Sequence, residues 1–214
     1  MLSMRRLALF FVLAAVGTLF SAAVWCADKP IKIAVVDITR VRKDAPRLKQ
    51  YDAEFAKLQS ELQAVLDYRG SHLLLEEADM KQYIDLKQKG ATITDADKAA
   101  IKVFDDKDAA AVAELKTLQQ TTNPDDTQKA RQKVLSDILA KNKATAEQYV
   151  KDSSSVLQSK GDELSAKIEA DILQAVKDAA NAKSFTYVYD KGALLFGGED
   201  LTVDVIKNLP TKTN

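Results

Sequence analysis

The chain has 214 residues, of which only 7 are Gly and 4 are Pro, about 5% where an average chain carries about 12%. Turn-rich architectures need those residues as punctuation, so loop-rich and all-β folds are excluded as first readings. The 31 basic and 31 acidic residues balance to a net charge of zero, and there is one Cys and one His, which argues against a nucleic-acid surface, a disulfide framework, a Cys- or His-based metal centre and a Ser-His-Asp triad.

Residues 1–27 read as a cleaved secretory signal peptide. Arg5 and Arg6 form its positive start, Leu7–Val16 its apolar core, and Ser21, Ala22 and Ala23 supply small residues near a cleavage point. An uncleaved anchor helix is the competing reading, because the apolar run approaches the ~20 residues that span a bilayer. Trp25 is bulky where a small residue belongs, which speaks against a lipid anchor on Cys26. Without Arg5 and Arg6, 29 basic residues face 31 acidic ones, and the secreted chain has a net charge of −2.

A β signal follows at residues 31–37, IKIAVVD, with Ile31, Ile33 and Val35 on one face. From about Asp44 the period changes. Leu48, Tyr51, Phe55, Leu58, Leu62 and Val65 alternate in steps of three and four, the seam of a coiled coil. The seam loses its regularity at Arg69, Gly70 and His72, and His72 reads as a surface helix residue. Helical composition resumes over 73–89, and Gly90 suits a helix end. Thr94 reads as an N-cap with Asp97 three residues on, opening a helix from Asp95 to about Gln120.

A sharp boundary lies at 121–124, where Asn123 reads as an N-cap and Pro124 as the first helical residue. A long helix then runs from about Asp125 to Ala182. Asn142 and Ser153–Ser155 interrupt its apolar row and read as solvent-exposed. Residues 185–190 and 193–196 read as a β-hairpin about a turn at 190–192, broken by Gly197 and Gly198. Thr202 reads as the cap of a last helix, ended by Pro210.

The expected fold is mostly α with a small β body. The first strand returns to the hairpin to make a short-stranded sheet, because a hairpin alone is marginal in water. The body takes residues 31–45 and 183–209. The helical arm takes 46–182, with breaks near 90–94 and 121–124, and must be a long antiparallel hairpin. Its outgoing path has about 75 residues and its return about 57, so part of 73–120 must fold back, kink or form an added tip. So slender a chain buries little core, which argues for oligomerisation.

Three stretches resemble the Skp/OmpH family of periplasmic chaperones. They are Ile33–Asp37 followed by Arg40; Phe55 through Glu61-Leu62-Gln63; and the return through Ala175-Val176-Lys177, Tyr187–Asp190 and Asp200–Lys207. The resemblance implies a homotrimer whose sheets join in an intersubunit β-barrel, with helical arms around a cavity. It implies an ATP-independent holdase, with neither catalysis nor cofactor, that keeps unfolded outer-membrane β-barrel proteins from aggregating in the periplasm. The near-neutral charge departs from the strongly basic members and leaves membrane or lipopolysaccharide contact open. On this reading Tyr68, Leu74, Tyr83, Ile84, Val103, Phe104, Leu115 and Leu118 are candidate client contacts, with packing between arm helices the competing role for each. Ile33, Val35, Tyr187 and Val188 are candidate trimer-body residues. The alternative function is a trimeric coiled-coil envelope scaffold or adaptor that binds one folded partner.

Overall fold

The computed structural model describes residues 30–209. The expected signal peptide, Cys26 and the stop at Pro210 lie outside the described residues.

Strand β1, Ile33–Val36, leads at once into helix α1, Ile38–Asp44. Asp37 caps α1 by accepting the Arg40 N–H at 2.8 Å. Residues 38–43 carry no helix in the sequence reading, because seven residues are too few to show a helical period. Pro46 ends α1 by forcing Ala45 into an extended conformation, and it then occupies the first turn of α2, Pro46–Ser71. The arm continues through α3, Glu77–Gln88, a short 3-10 turn at Gly90–Thr92, and α4, Asp95–Gln120. Helix α5, Asp126–Ala182, returns in one piece of 57 residues, about 85 Å at the usual rise.

Thr94 and Asp97 do form the reciprocal capping box that opens α4. At α5 the expected cap is displaced. Asp125, not Asn123, is the N-cap, accepting the Gln128 N–H while the Gln128 side chain accepts the Asp125 N–H. That reciprocal pair satisfies two groups where Asn123 offers one, and Pro124 falls outside the helix.

The expected hairpin does not form. Strands β2, Tyr187–Asp190, and β3, Glu199–Asp200, flank β1 in the order β2-β1-β3, and both run parallel to it. Parallel pairing follows from the connection, since the whole arm is the crossover from β1 to β2. After β2, Asp190 accepts the Gly192 N–H at 2.8 Å and turns the chain into a 3-10 turn, Lys191–Ala193. Gly197 and Gly198, at φ +87° and +86°, then swing it across β1. A Cβ on Gly198 would stand 3.0 Å from Val35 Cγ1, so only glycine permits that crossing.

Helix α6, Thr202–Asn208, closes the body. The body core joins Ala34 and Val36 of β1, Val41 of α1, Leu48 of α2, Ile172, Ala175 and Ala179 of α5, and Leu201, Val205 and Leu209 around α6. Thr202 does not cap α6; it starts it. Its hydroxyl accepts the Asp37 N–H at 2.9 Å and donates to Asp200 at 2.5 Å, tying the entry of the arm to the end of the sheet. Replacing the buried Thr202 with Val removes that hydroxyl and leaves the Asp37 N–H unpaired. The expected loss is about 1–3 kcal/mol, read as a lower urea midpoint with an unchanged slope.

Candidate functional site

The arm solves its length mismatch by doubling back. α2 runs antiparallel to α5, as Arg47–Asp171 and Glu54–Lys160 ion pairs and Phe55 against Gly161 show. α3 then retraces toward the body. It is antiparallel to α4, with Asp79 paired to Lys107, Tyr83 to Phe104 at 6.4 Å between rings, and Lys89 to Asp97 at 2.7 Å. α4 carries the chain outward past the end of α2 and pairs with the start of α5 through Glu114–Arg131.

The joint between α2 and α3 is held by two buried polar side chains. Asn142, 7% exposed, donates both amide hydrogens, to the carbonyls of Leu73 and Leu75 at 2.9 and 2.6 Å. Asp108, 6% exposed, accepts the Leu74 N–H at 2.8 Å. Three consecutive residues of a non-helical turn are thereby satisfied by α4 and α5. Asn142 is therefore not the solvent-exposed interruption expected from sequence. Ser154 and Ser155 are exposed, as expected, but Ser153 is half-buried with its hydroxyl turned inward. His72 also departs from expectation. It is half-buried at the end of α2, within hydrogen-bond distance of Asp105 at 3.0 Å and of the Tyr68 carbonyl at 3.1 Å, with its ring 4.4 Å from that of Tyr83. Burial, together with neighbouring Asp105, pushes the Tyr83 phenol well above its ordinary pKa.

Seven of the eight candidate client contacts pack within the arm. Leu74 and Leu115 are buried with Leu135, and Leu118 packs on them. Ile84 is buried with Val65, Leu75 and Met80, and Tyr68 and Phe104 pack on that cluster. Tyr83 is buried between Tyr68 and Phe104. The structure thus places them in packing between the arm helices around the joint, because α3 folds back over positions that a simple hairpin would leave open. Val103 alone stands free, 63% exposed. Exposed apolar side chains that the sequence reading did not select are Val112, Val134, Val150, Val156 and Leu173. Val150 and Val156 belong to the apolar row read for the long helix, whereas the sequence reading does not single out Val112, Val134 and Leu173.

The body candidates divide between the two faces of the sheet. Val35 is buried under the loop at Gly198, Val188 is half-buried toward the core, and Ile33 and Tyr187 are exposed side by side in register. Tyr189 and Ile31 extend that exposed face, and Leu195 and Phe196 stand fully exposed in the loop beyond β2. Residues 193–196 had been expected to be a strand. Among the described residues no cluster of acids, His and Cys could hold a metal ion, and no helix is long and apolar enough to cross a membrane.

A family model described as "Outer membrane protein (OmpH-like)" matches residues 78–209, more than half of the chain, and the chain belongs to that family. The family includes periplasmic chaperones of outer-membrane proteins. The match begins in α3 and takes in the returning helix, β2, β3 and α6. Of the three stretches of likeness in the sequence it spans the third. No curated protein matches the chain.

Truncating Asn142 to Ala leaves two carbonyls of the joint unpaired. The expected cost is about 1–3 kcal/mol, with amide exchange rising first in 72–80 and α4 rather than in the body. Acid should loosen the other end of α4. Lys89 and the Thr94 backbone and hydroxyl hold the Asp97 carboxyl down at about 2. A lowered carboxylate pKa stabilises fully above the ordinary Asp value near 3.9 and loses that contribution as pH falls through the lowered value. Exchange at 90–97 should therefore rise as pH falls from about 4 toward 2, and the step should vanish in Asp97→Asn.

Proposed function

We propose that the protein is an ATP-independent periplasmic holdase that takes unfolded outer-membrane β-barrel proteins between helical arms and keeps them from aggregating. Membership of the OmpH-like family carries this reading. The form of the chain supports it. A small body anchors one end of a two-helix arm that thickens at its joint, where α3 and the start of α4 pack beside α2 and α5, and ends in α4 and α5 alone. The arm's outer surface is mostly charged, with single exposed valines spread along α4 and α5. Many weak apolar contacts without one deep site suit a client with no fixed shape. Catalysis and a cofactor have no part in this reading.

The body is proposed to join copies of the chain, with three the number the family resemblance implies. Its exposed sheet face of Ile31, Ile33, Tyr187 and Tyr189 is the surface such an assembly would cover. The chain is secreted in this reading, with residues 1–27 removed.

With a secreted charge of only −2, capture should depend little on salt. Unfolded outer-membrane protein diluted from urea should stay soluble in the presence of this protein even at about 0.5 M NaCl, where the screening length is a few ångströms. Replacing Val103, Val112, Val134, Val150 and Val156 together with Ser should cut the soluble fraction at least about twofold, with little change in thermal midpoint, because exposed sites away from packing shift stability little. Loss of capture in salt, with no effect of the valines, would replace apolar holding by electrostatic capture. A protein that binds one folded envelope partner and protects no unfolded client would support an adaptor instead.

A further inference from the structure

Two complementary apolar features lie on opposite faces of the same small sheet. The first is a finger, Leu194–Phe196. It leaves β2 through the capped turn at Lys191–Ala193 and returns through Gly197 and Gly198, both at positive φ. Its base is fixed, because Gly198 sits against Val35 and Leu194, and Lys191 pairs with Asp200 at 2.8 Å. At its end Leu195 is fully exposed and Phe196 is 96% exposed. Val35 places the finger on the face shared in register with Ile33, Tyr187 and Tyr189.

The second feature is a groove of about 260 Å³ between the other face of the sheet, the β2 edge and α5. Val36 and Val188 form its floor, and Ile38, Ile172, Leu173 and Val176 its walls. Ile172 is buried, but Leu173 is 54% exposed. The groove is of a size to take one aromatic side chain; its floor and walls are apolar, and the charged side chains of Arg42, Glu169 and Asp190 stand at its rim.

We infer that the Leu195–Phe196 finger of one copy seats in the Val36–Leu173–Val188 groove of the next, so that each protomer completes its neighbour's body. The inference rests on the proposed self-assembly and adds the contact that makes it directional. A finger and a groove on opposite faces of one sheet cannot meet within a chain. Between chains they meet head to tail, the kind of contact that closes a ring when the rotation allows. Area agrees. On the finger's face alone, Ile31, Ile33, Tyr187, Tyr189, Leu195 and Phe196 are exposed and together present on the order of 900 Å², against the few hundred tolerated in one patch on a monomer and the ~800 Å² per partner of a stable interface. A second copy is thus the occupant that covers finger, groove and sheet face at once.

The test uses the secreted protein, without added partner. Phe196→Cys and Leu173→Cys are made together and singly, and are treated with a short bis-maleimide cross-linker. The double variant should give a ladder of covalently joined copies, and neither single variant should. Leu195→Ser/Phe196→Ser removes only exposed side chains, so helical content by circular dichroism should hold while self-association weakens at least about tenfold in sedimentation. An assembled wild type with no ladder, and with no effect of the double serine variant, would overturn the finger contact and leave self-assembly standing. A monomeric wild type at micromolar concentration would overturn both.

Discussion

One helix sets the scale of the molecule. α5 is a single rod of 57 residues, and every other element is placed along it. Its C-terminal third supplies Ile172, Ala175 and Ala179 to the body core. Its middle pairs with α2, and its first turns pair with the end of α4. α2 has 26 residues and cannot cover such a rod. The chain therefore needs a joint where α2 stops, and a joint in a helical arm exposes backbone groups that have lost their helical partners. Asn142 and Asp108 meet that need from the two helices beside it. The fold-back of α3, the packed joint and the reach of α4 and α5 beyond it all depend on that clamp.

The body works under a different constraint. Its sheet has three short parallel strands, and among the described residues no further strand pairs with either edge. Parallel sheets are ordinarily covered on both faces, whereas here α5 and α6 cover one face and the crossing loop covers little of the other. Polar ties supplement the body's small apolar core. Thr202 links Asp37 to Asp200, and Lys183 bridges Glu199 and Asp204 at 3.1 and 2.7 Å. The uncovered face is the one on which the proposed contact between copies draws. The arm, by contrast, is clothed in same-helix charge pairs such as Lys102–Asp106 and Lys133–Asp137, each of which adds little stability. Their effect is to keep a long, thin arm soluble.

Legibility followed the range of the interactions. Local signals were plain in the sequence. The Thr94 box, the β-branched run at 33–36 and the extent of α4 and α5 needed only neighbouring residues. Signals that compete locally were misplaced by a residue or two, as at Asp125, where two good caps stand two residues apart. The hairpin failed for a longer-range reason: 185–196 has hairpin composition, but the Asp190 turn and two left-handed glycines send the chain over β1 instead. The candidate site was the least legible part. Tyr83, Ile84, Leu74 and Leu115 are apolar residues on an arm, and only the direction of α3 decides that they are buried. Asn142 did carry a usable sign. It stands seven residues from both Leu135 and Tyr149, in the apolar register, where a polar residue is kept for a specific partner.

The protein is a stiff arm with a packed elbow, standing on a small body whose sheet leaves one apolar face exposed. Native mass spectrometry of the secreted protein, with and without one unfolded outer-membrane β-barrel protein, tests that view most directly. The account predicts an assembly of several copies that takes up a single client chain. A monomer that captures no client would contradict it.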